Sequence, residues 1–99
     1  MMQGGVFGFG GVGQAMTRQT NLNQWYGDDV RIVAACNRGK AKRDIAEQEY
    51  GLAVYDNVDD LIAHGLDFML IVSTSAAHHD AAIKCARAGI PFLIEKPVV

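Results

Sequence analysis

Long apolar runs are missing from this chain. No stretch approaches the length needed to cross a bilayer, and Met1-Met2-Gln3 has no charged segment leading into an apolar one, as a secretory signal would. A soluble, cytoplasmic protein with no membrane partner is expected. Positive charge is not in excess either: 9 Lys and Arg stand against 11 Asp and Glu, for a formal net charge of −2. They are dispersed, so no basic stripe exists for a phosphate backbone, and nucleic acid is not an expected partner. Cysteine is scarce. Cys36 and Cys85 lie far apart, with no Cys-x-x-Cys or Cys/His ligand spacing, which reads as two reduced, mostly buried thiols and no metal site. Linkers, low-complexity tracts and internal repeats are absent as well. The 99 residues fit one small domain.

Glycine is plentiful, at 11 residues, and 49% of the chain is hydrophobic. Apolar, often β-branched runs at Val6-Phe7, Val30 to Ala35, Ala53 to Tyr55, Phe68 to Val72 and Pro91 to Ile94 predict strands. Segments of helical spacing separate them, and this alternation predicts an α/β fold with a parallel sheet. The helices are expected at about Val12 to Trp25, Lys40 to Tyr50, a short one between an Asp56 or Asn57 cap and Gly65, and Ala77 to Ala88. Gly51 and Gly89 stand where left-handed helix ends are expected. His64, just before Gly65, reads as a partner for a helix C-terminus. Gly4 and Gly5 are expected to interrupt the first strand, since glycine packs nothing there.

The stretch Gly8-Phe9-Gly10-Gly11-Val12-Gly13 has the Gly-x-Gly-x-x-Gly spacing. A chain this rich in glycine meets that spacing by chance about one time in eight, so its context must decide. It follows a strand and opens a helix, as a dinucleotide cradle requires. Gly8 permits the tight turn, Gly10 the approach of backbone to a pyrophosphate, and Gly13 the contact between helix and strand. The free N–H groups of the helix start then face the phosphates.

Ligands of open α/β sheets bind beyond the carboxyl ends of the strands, here at the switch point between strands one and four. Three other segments are expected there. After strand two, NAD sites usually carry an acidic residue about 20 positions past the glycines; this chain has Asn37, then Arg38, with Lys40 and Arg43 beyond. A guanidinium binds a 2′-phosphate through paired hydrogen bonds, so NADP is expected, with NAD the alternative; Arg38 could also simply cap a solvated loop. After strand four, Ser73, Thr74 and the loop to His78 line the crevice. Adjacent His78 and His79 do not share a helix face, and a helix-start role is preferred to metal binding. After strand five, Glu95 and Lys96 emerge beside the crevice, though on composition alone they are an ordinary strand end.

Together the glycine turn, "CNR", the "ST" loop with its histidine and "AGIPFLIEKP" resemble the N-terminal domain of the family of glucose-fructose oxidoreductase, inositol dehydrogenase and rhizopine-catabolism proteins. Glu95-Lys96-Pro97 after a helix ending Ala88-Gly89 is the most specific element, and the spacing to Gly89 picks His78 over His79. The resemblance covers nearly the whole chain. It implies a Rossmann-like three-layer parallel sheet of about five strands, a truncated doubly wound fold, forming a single NAD(P)-binding domain over 1–99. It further implies that Gly8 to Gly13, Asn37, Arg38, Ser73, Thr74, His78, Glu95 and Lys96 hold the cofactor. Lys96 would act catalytically by polarising or deprotonating a substrate hydroxyl, Glu95 would position it or the ribose, and Pro97 would shape the turn.

The implied function is the cofactor-binding part of an oxidoreductase that transfers hydride between a nicotinamide dinucleotide and a sugar- or polyol-like alcohol or ketone. A second α/β domain, absent from these residues, supplies most substrate contacts in that family, so the chain alone is expected to be inactive. A homo-oligomer is expected. The alternatives are a non-catalytic dinucleotide-binding or sensor module needing a partner chain, and, more weakly, an S-adenosylmethionine site. Three features depart from the family pattern: Ser75 where proline is usual, Asn37 for an acidic residue, and Gly4-Gly5 in strand one.

Overall fold

The computed structural model describes residues 2–24, 27–72 and 75–94, excepting the side chains of residues 75, 76 and 78. Strands and helices alternate: β1 (Met2–Phe7), α1 (Gly11–Asn21), β2 (Val30–Cys36), α2 (Lys40–Tyr50), β3 (Ala53–Tyr55), α3 (Val58–Ala63), β4 (Phe68–Ile71), α4 (Ser75–Ala88) and β5 (Phe92–Ile94). The five strands form one parallel sheet in the order β3-β2-β1-β4-β5. The chain therefore winds outward from β1 in one direction, returns and winds outward in the other. This is a three-layer, doubly wound arrangement whose switch point lies between β1 and β4.

Side-chain alternation builds a core on each face of the sheet. In β4, Met69 and Ile71 point to one face, where Val58 and Leu61 of α3 and Ala81 and Cys85 of α4 meet them. Leu70 points to the other, with Val6, Ile32, Ala35 and Ala46, and with Met16 of α1 packed alongside. Successive residues of a strand alternate faces, so a sheet covered on both sides reads as a continuous apolar run. The "FMLIV" run is such a case.

The glycine pair does not interrupt β1; the strand runs through it. A Cβ on Gly4 would overlap the Phe68 ring, and one on Gly5 would overlap Leu66 Cδ1. The Phe68 ring lies directly over Gly4, so glycine suits the packing there, whereas at Gly5 the overlap is with the movable end of the Leu66 side chain. The register against β2 also slips between Gly4 and Gly5, which pair with Ile32 and Ala34. Val33 is left over, and it and Ala34 face the same core. That is the two-against-one count of a β-bulge.

Helix α1 starts at Gly11 and ends at Asn21, short of Trp25, which lies outside the described residues. The Asn21 side chain explains the stop. Its Oδ1 accepts from the Ile32 N–H (2.8 Å) and its Nδ2 donates to the Ile32 carbonyl (2.9 Å). Backbone N–H groups of Leu22 and Asn23 then both turn back to the Arg18 carbonyl, and Gln24 adopts a positive φ of 52°. The buried stripe of α1 is Gly13, Thr17 and Thr20. Both hydroxyls are satisfied within the helix, Thr17 donating to the Gly13 carbonyl and Thr20 to the Met16 carbonyl at 2.8 Å each.

The other helix ends follow their sequence signals. Gly51, Gly65 and Gly89 have φ of 67°, 88° and 73°, and Gly51 is the left-handed cap of α2. Asn57 caps α3, its Oδ1 accepting from the Asp60 N–H at 2.8 Å. His64 follows α3, as its sequence position suggests, and its Nδ1 pairs with the Tyr55 hydroxyl at 2.8 Å. Cys36 and Cys85 are both buried and unbridged. No helix among the described residues is long and apolar enough to cross a membrane.

Candidate functional site

The carboxyl ends of the strands open onto a cleft of ≈ 880 Å³. One wall is the glycine turn. Gly8 leaves β1 with φ of 100°, a conformation closed to other residues at low cost, while its N–H is held by the Cys36 carbonyl at 2.8 Å. Phe9 turns its ring away from the cleft: it is fully buried and meets Tyr50 edge to face at 5.3 Å between centroids. The Phe9 backbone is engaged as well, its carbonyl accepting from Gln14 Nε2 at 3.2 Å. Gly10 is the N-cap of α1, extended at φ −78° and ψ −161°, and no side chain caps the helix.

The three glycines of the motif have separate physical reasons. A Cβ on Gly13 would run into the Gly8 carbonyl oxygen and Val6 Cγ1, so Gly13 lets the helix pack on the turn. A Cβ on Gly10 or Gly11 would meet nothing within 4 Å. Nothing inside the protein demands glycine at these two positions. What remains is open space in front of uncapped N–H groups at a helix start, the arrangement that suits a phosphate. A dinucleotide pyrophosphate therefore fits this cradle on the chain's own geometry.

The second wall is the loop after β2. Asn37 Oδ1 accepts from the Phe9 N–H at 3.0 Å, so this side chain latches the glycine turn to the end of β2. The Asn37 N–H is in turn held by the Tyr55 carbonyl at 3.1 Å. Arg38 is exposed and lines the cleft. Arg43, one turn into α2, donates from Nη1 to the Asn37 carbonyl (2.8 Å) and to the Arg38 carbonyl (2.6 Å).

The third wall, with Asp56, Asn57 and Asp59 after β3 and Asp80 and Lys84 on α4, did not emerge from the sequence. The one available signal was that Asp56 follows a strand at the carboxyl edge. Lys84 bridges the two helices, with Nζ 3.0 Å from Asp59 and 3.5 Å from Asp80. Its hydrogen bond to Asp59 holds its pKa above the ordinary value. Cys36 also borders the cleft; burial, reinforced by the Asp56 charge, pushes its thiol up to about 11, so it stays protonated at neutral pH.

The structure thus brings Gly8, Gly10, Asn37 and Arg38 to one cleft, with Gly11, Val12 and Gly13 forming the first turn of α1 behind it. Val12 is exposed and presents only its backbone to the turn's geometry. Ser73, Thr74, Glu95, Lys96 and Pro97 lie outside the described residues, as does the side chain of His78. Val72, which precedes Ser73, lines the cleft, and its N–H is held by the Phe7 carbonyl at 3.0 Å. Ile94, which precedes Glu95, stands level with Ile71 at the same sheet edge.

The family model of an oxidoreductase family with an NAD-binding Rossmann fold matches residues 2–99. An inositol 2-dehydrogenase from Serratia proteamaculans is 28% identical over 95 residues, spanning 95% of this chain and 28% of that protein. An apo scyllo-inositol dehydrogenase from Lactobacillus casei superposes with a TM-score of 0.87 at 26% identity, over 98% of this chain and 28% of the other. The WlbA dehydrogenase from Chromobactrium violaceum, solved in complex with NADH and UDP-GlcNAcA, shares the fold at a TM-score of 0.86 and 20% identity, over 97% of this chain and 27% of that one. The chain spans little more than a quarter of the length of each.

Proposed function

Because the chain belongs to the oxidoreductase family with an NAD-binding Rossmann fold, we propose that it is the cofactor-binding domain of a dehydrogenase, seating a dinucleotide pyrophosphate on Gly8 to Gly13 and favouring NADP through Arg38. The observation that carries this reading is the empty space in front of Gly10 and Gly11, where the fold itself has no use for glycine. When bound, the nicotinamide supplies the hydride chemistry, and the protein's part is to bind, orient and exclude water.

The residues divide that work. Gly8 and Gly13 fix the turn, and the N–H groups at the start of α1 receive the phosphates. Asn37 spends its carbonyl oxygen on the Phe9 N–H, and, being uncharged, it leaves no carboxylate to repel a 2′-phosphate. Arg38, exposed at the cleft, takes that phosphate through paired hydrogen bonds. Ser73, Thr74 and His78, which follow β4 in the sequence, are assigned further cofactor contacts by the family resemblance. Lys96, after β5, holds or takes the proton of the substrate hydroxyl, with Glu95 positioning it.

The substrate class is a sugar- or polyol-like alcohol or ketone, by likeness to the inositol dehydrogenases. Its contacts come from a second domain of a longer protein, so turnover by these 99 residues is not expected. Titration with NADPH and NADH, read by nicotinamide fluorescence, tests the reading. Saturable binding, tighter for NADPH, is the expected result. Arg38→Ala is expected to weaken NADPH about tenfold or more while leaving NADH near its original affinity. An equal loss for both cofactors removes the role given to Arg38, and no binding of either by the folded chain removes the cradle.

A further inference from the structure

Arg43 is not among the residues that line the cleft, yet it is tied to the loop that carries Arg38. Its Nη1 donates to two consecutive carbonyls, those of Asn37 and Arg38. Consecutive carbonyls of an extended chain point to opposite sides, so one donor reaching both fixes the turn between them. Residues 37 and 38 are the hinge between β2 and α2, and this bond determines where Arg38 sets out from the loop.

The two residues so held differ in what else restrains them. Asn37 is also anchored by its N–H to the Tyr55 carbonyl and by its side chain to the Phe9 N–H. Arg38 is exposed, and its carbonyl is gripped by Arg43. Loss of the Arg43 fork would therefore leave the glycine cradle in place and loosen Arg38 specifically. From this geometry we infer that Arg43 is a positioning residue for cofactor selection: it sets discrimination at the ribose 2′-position by holding the Arg38 backbone, without itself binding the cofactor. This inference rests on the reading of Arg38 as the 2′-phosphate ligand.

Binding of 2′,5′-ADP and of 5′-AMP, measured calorimetrically on the full chain, separates the two ideas, because the pair differs only in the 2′-phosphate. The unaltered chain is expected to favour 2′,5′-ADP. Arg43→Ala is expected to lower that preference about tenfold with 5′-AMP affinity unchanged, and Arg38→Ala with Arg43→Ala to be no worse than Arg38→Ala alone, since both remove one function. Arg43→Met keeps the aliphatic stem and loses the donor that holds both carbonyls, so it is expected to lose the preference too; it also carries the test should the alanine variant not fold.

Retention of the full preference by Arg43→Met would show that the donor does not matter and overturn the inference. So would additive losses in the double variant, or equal losses for both ligands in Arg43→Ala. An unaltered chain that binds 5′-AMP without favouring 2′,5′-ADP would overturn the Arg38 reading and this one together. If that chain discriminates and Arg43→Ala discriminates equally, the inference alone fails.

Discussion

At the scale of single residues, the glycine motif separates into positions where the fold itself requires glycine and positions where it does not. Gly8→Ala places a side chain at φ 100°, and Gly13→Ala drives a Cβ into the Gly8 carbonyl; each is expected to cost about 1–3 kcal/mol of stability. Gly10→Ala meets open space and is expected to cost about 1 kcal/mol or less, yet to weaken dinucleotide binding about tenfold or more, because its methyl group stands where the pyrophosphate approaches. Urea unfolding alongside NADPH titration checks the contrast. If Gly10→Ala binds normally, the open space is not a cradle.

Cys36 gives a second residue-scale prediction. Its thiol is raised from 9.0 to about 11 by burial and then by Asp56. The native state thus prefers the protonated thiol, and this contribution is complete below pH 9 and lost as pH rises through about 11. The urea midpoint is expected to fall across that window, and Cys36→Ala to flatten the fall. Cys85, also raised by burial, contributes in the same direction.

At the scale of elements, the decisive restraints are tertiary ones that local pattern does not encode. Asn21 ends α1 by exchanging two hydrogen bonds with the Ile32 backbone. Asn21→Ala leaves both partly buried groups without a partner and is expected to cost about 1–3 kcal/mol in urea unfolding, whereas Asn21→Asp retains one bond and is expected to cost less. The same distinction explains what the sequence reveals. Helix ends marked by Gly51 and Gly89, and the run from Phe68 to Val72, are legible because left-handed caps and double-sided burial are local demands. The extent of β1 is not, because the fitness of Gly4 and Gly5 depends on Phe68 and Leu66, which only the fold brings over them. The site divides likewise: Gly8 to Gly13 declare themselves by spacing, while the latch from Asn37 to Phe9 and the wall of Asp56, Asp59, Asp80 and Lys84 require the sheet to be assembled first.

At the scale of the whole molecule, the cleft draws on every connection at the carboxyl edge: the turn after β1, the loop after β2, Asp56 after β3, Val72 after β4 and Asp80 on α4. β1 alone joins the two halves of the sheet, pairing with β2 on one side and β4 on the other. Loss of β1, β2, β3 or β4 dismantles part of the cleft, so binding is linked to opening of these strands together rather than to local unfolding of the glycine turn. A ligand at about 100 times its dissociation constant is then expected to add about 2.7 kcal/mol to stability, with NADPH exceeding NADH at equal concentration. Amide hydrogen exchange provides the measurement that distinguishes this linkage. Under NADPH, amides in the core of β2 and β4 that exchange only through global opening are expected to slow by the same factor, although they lie behind the cleft rather than in it. Slowing confined to Gly8 through Gly13 would mean that the cradle closes on its own and that the halves of the sheet are not coupled through it.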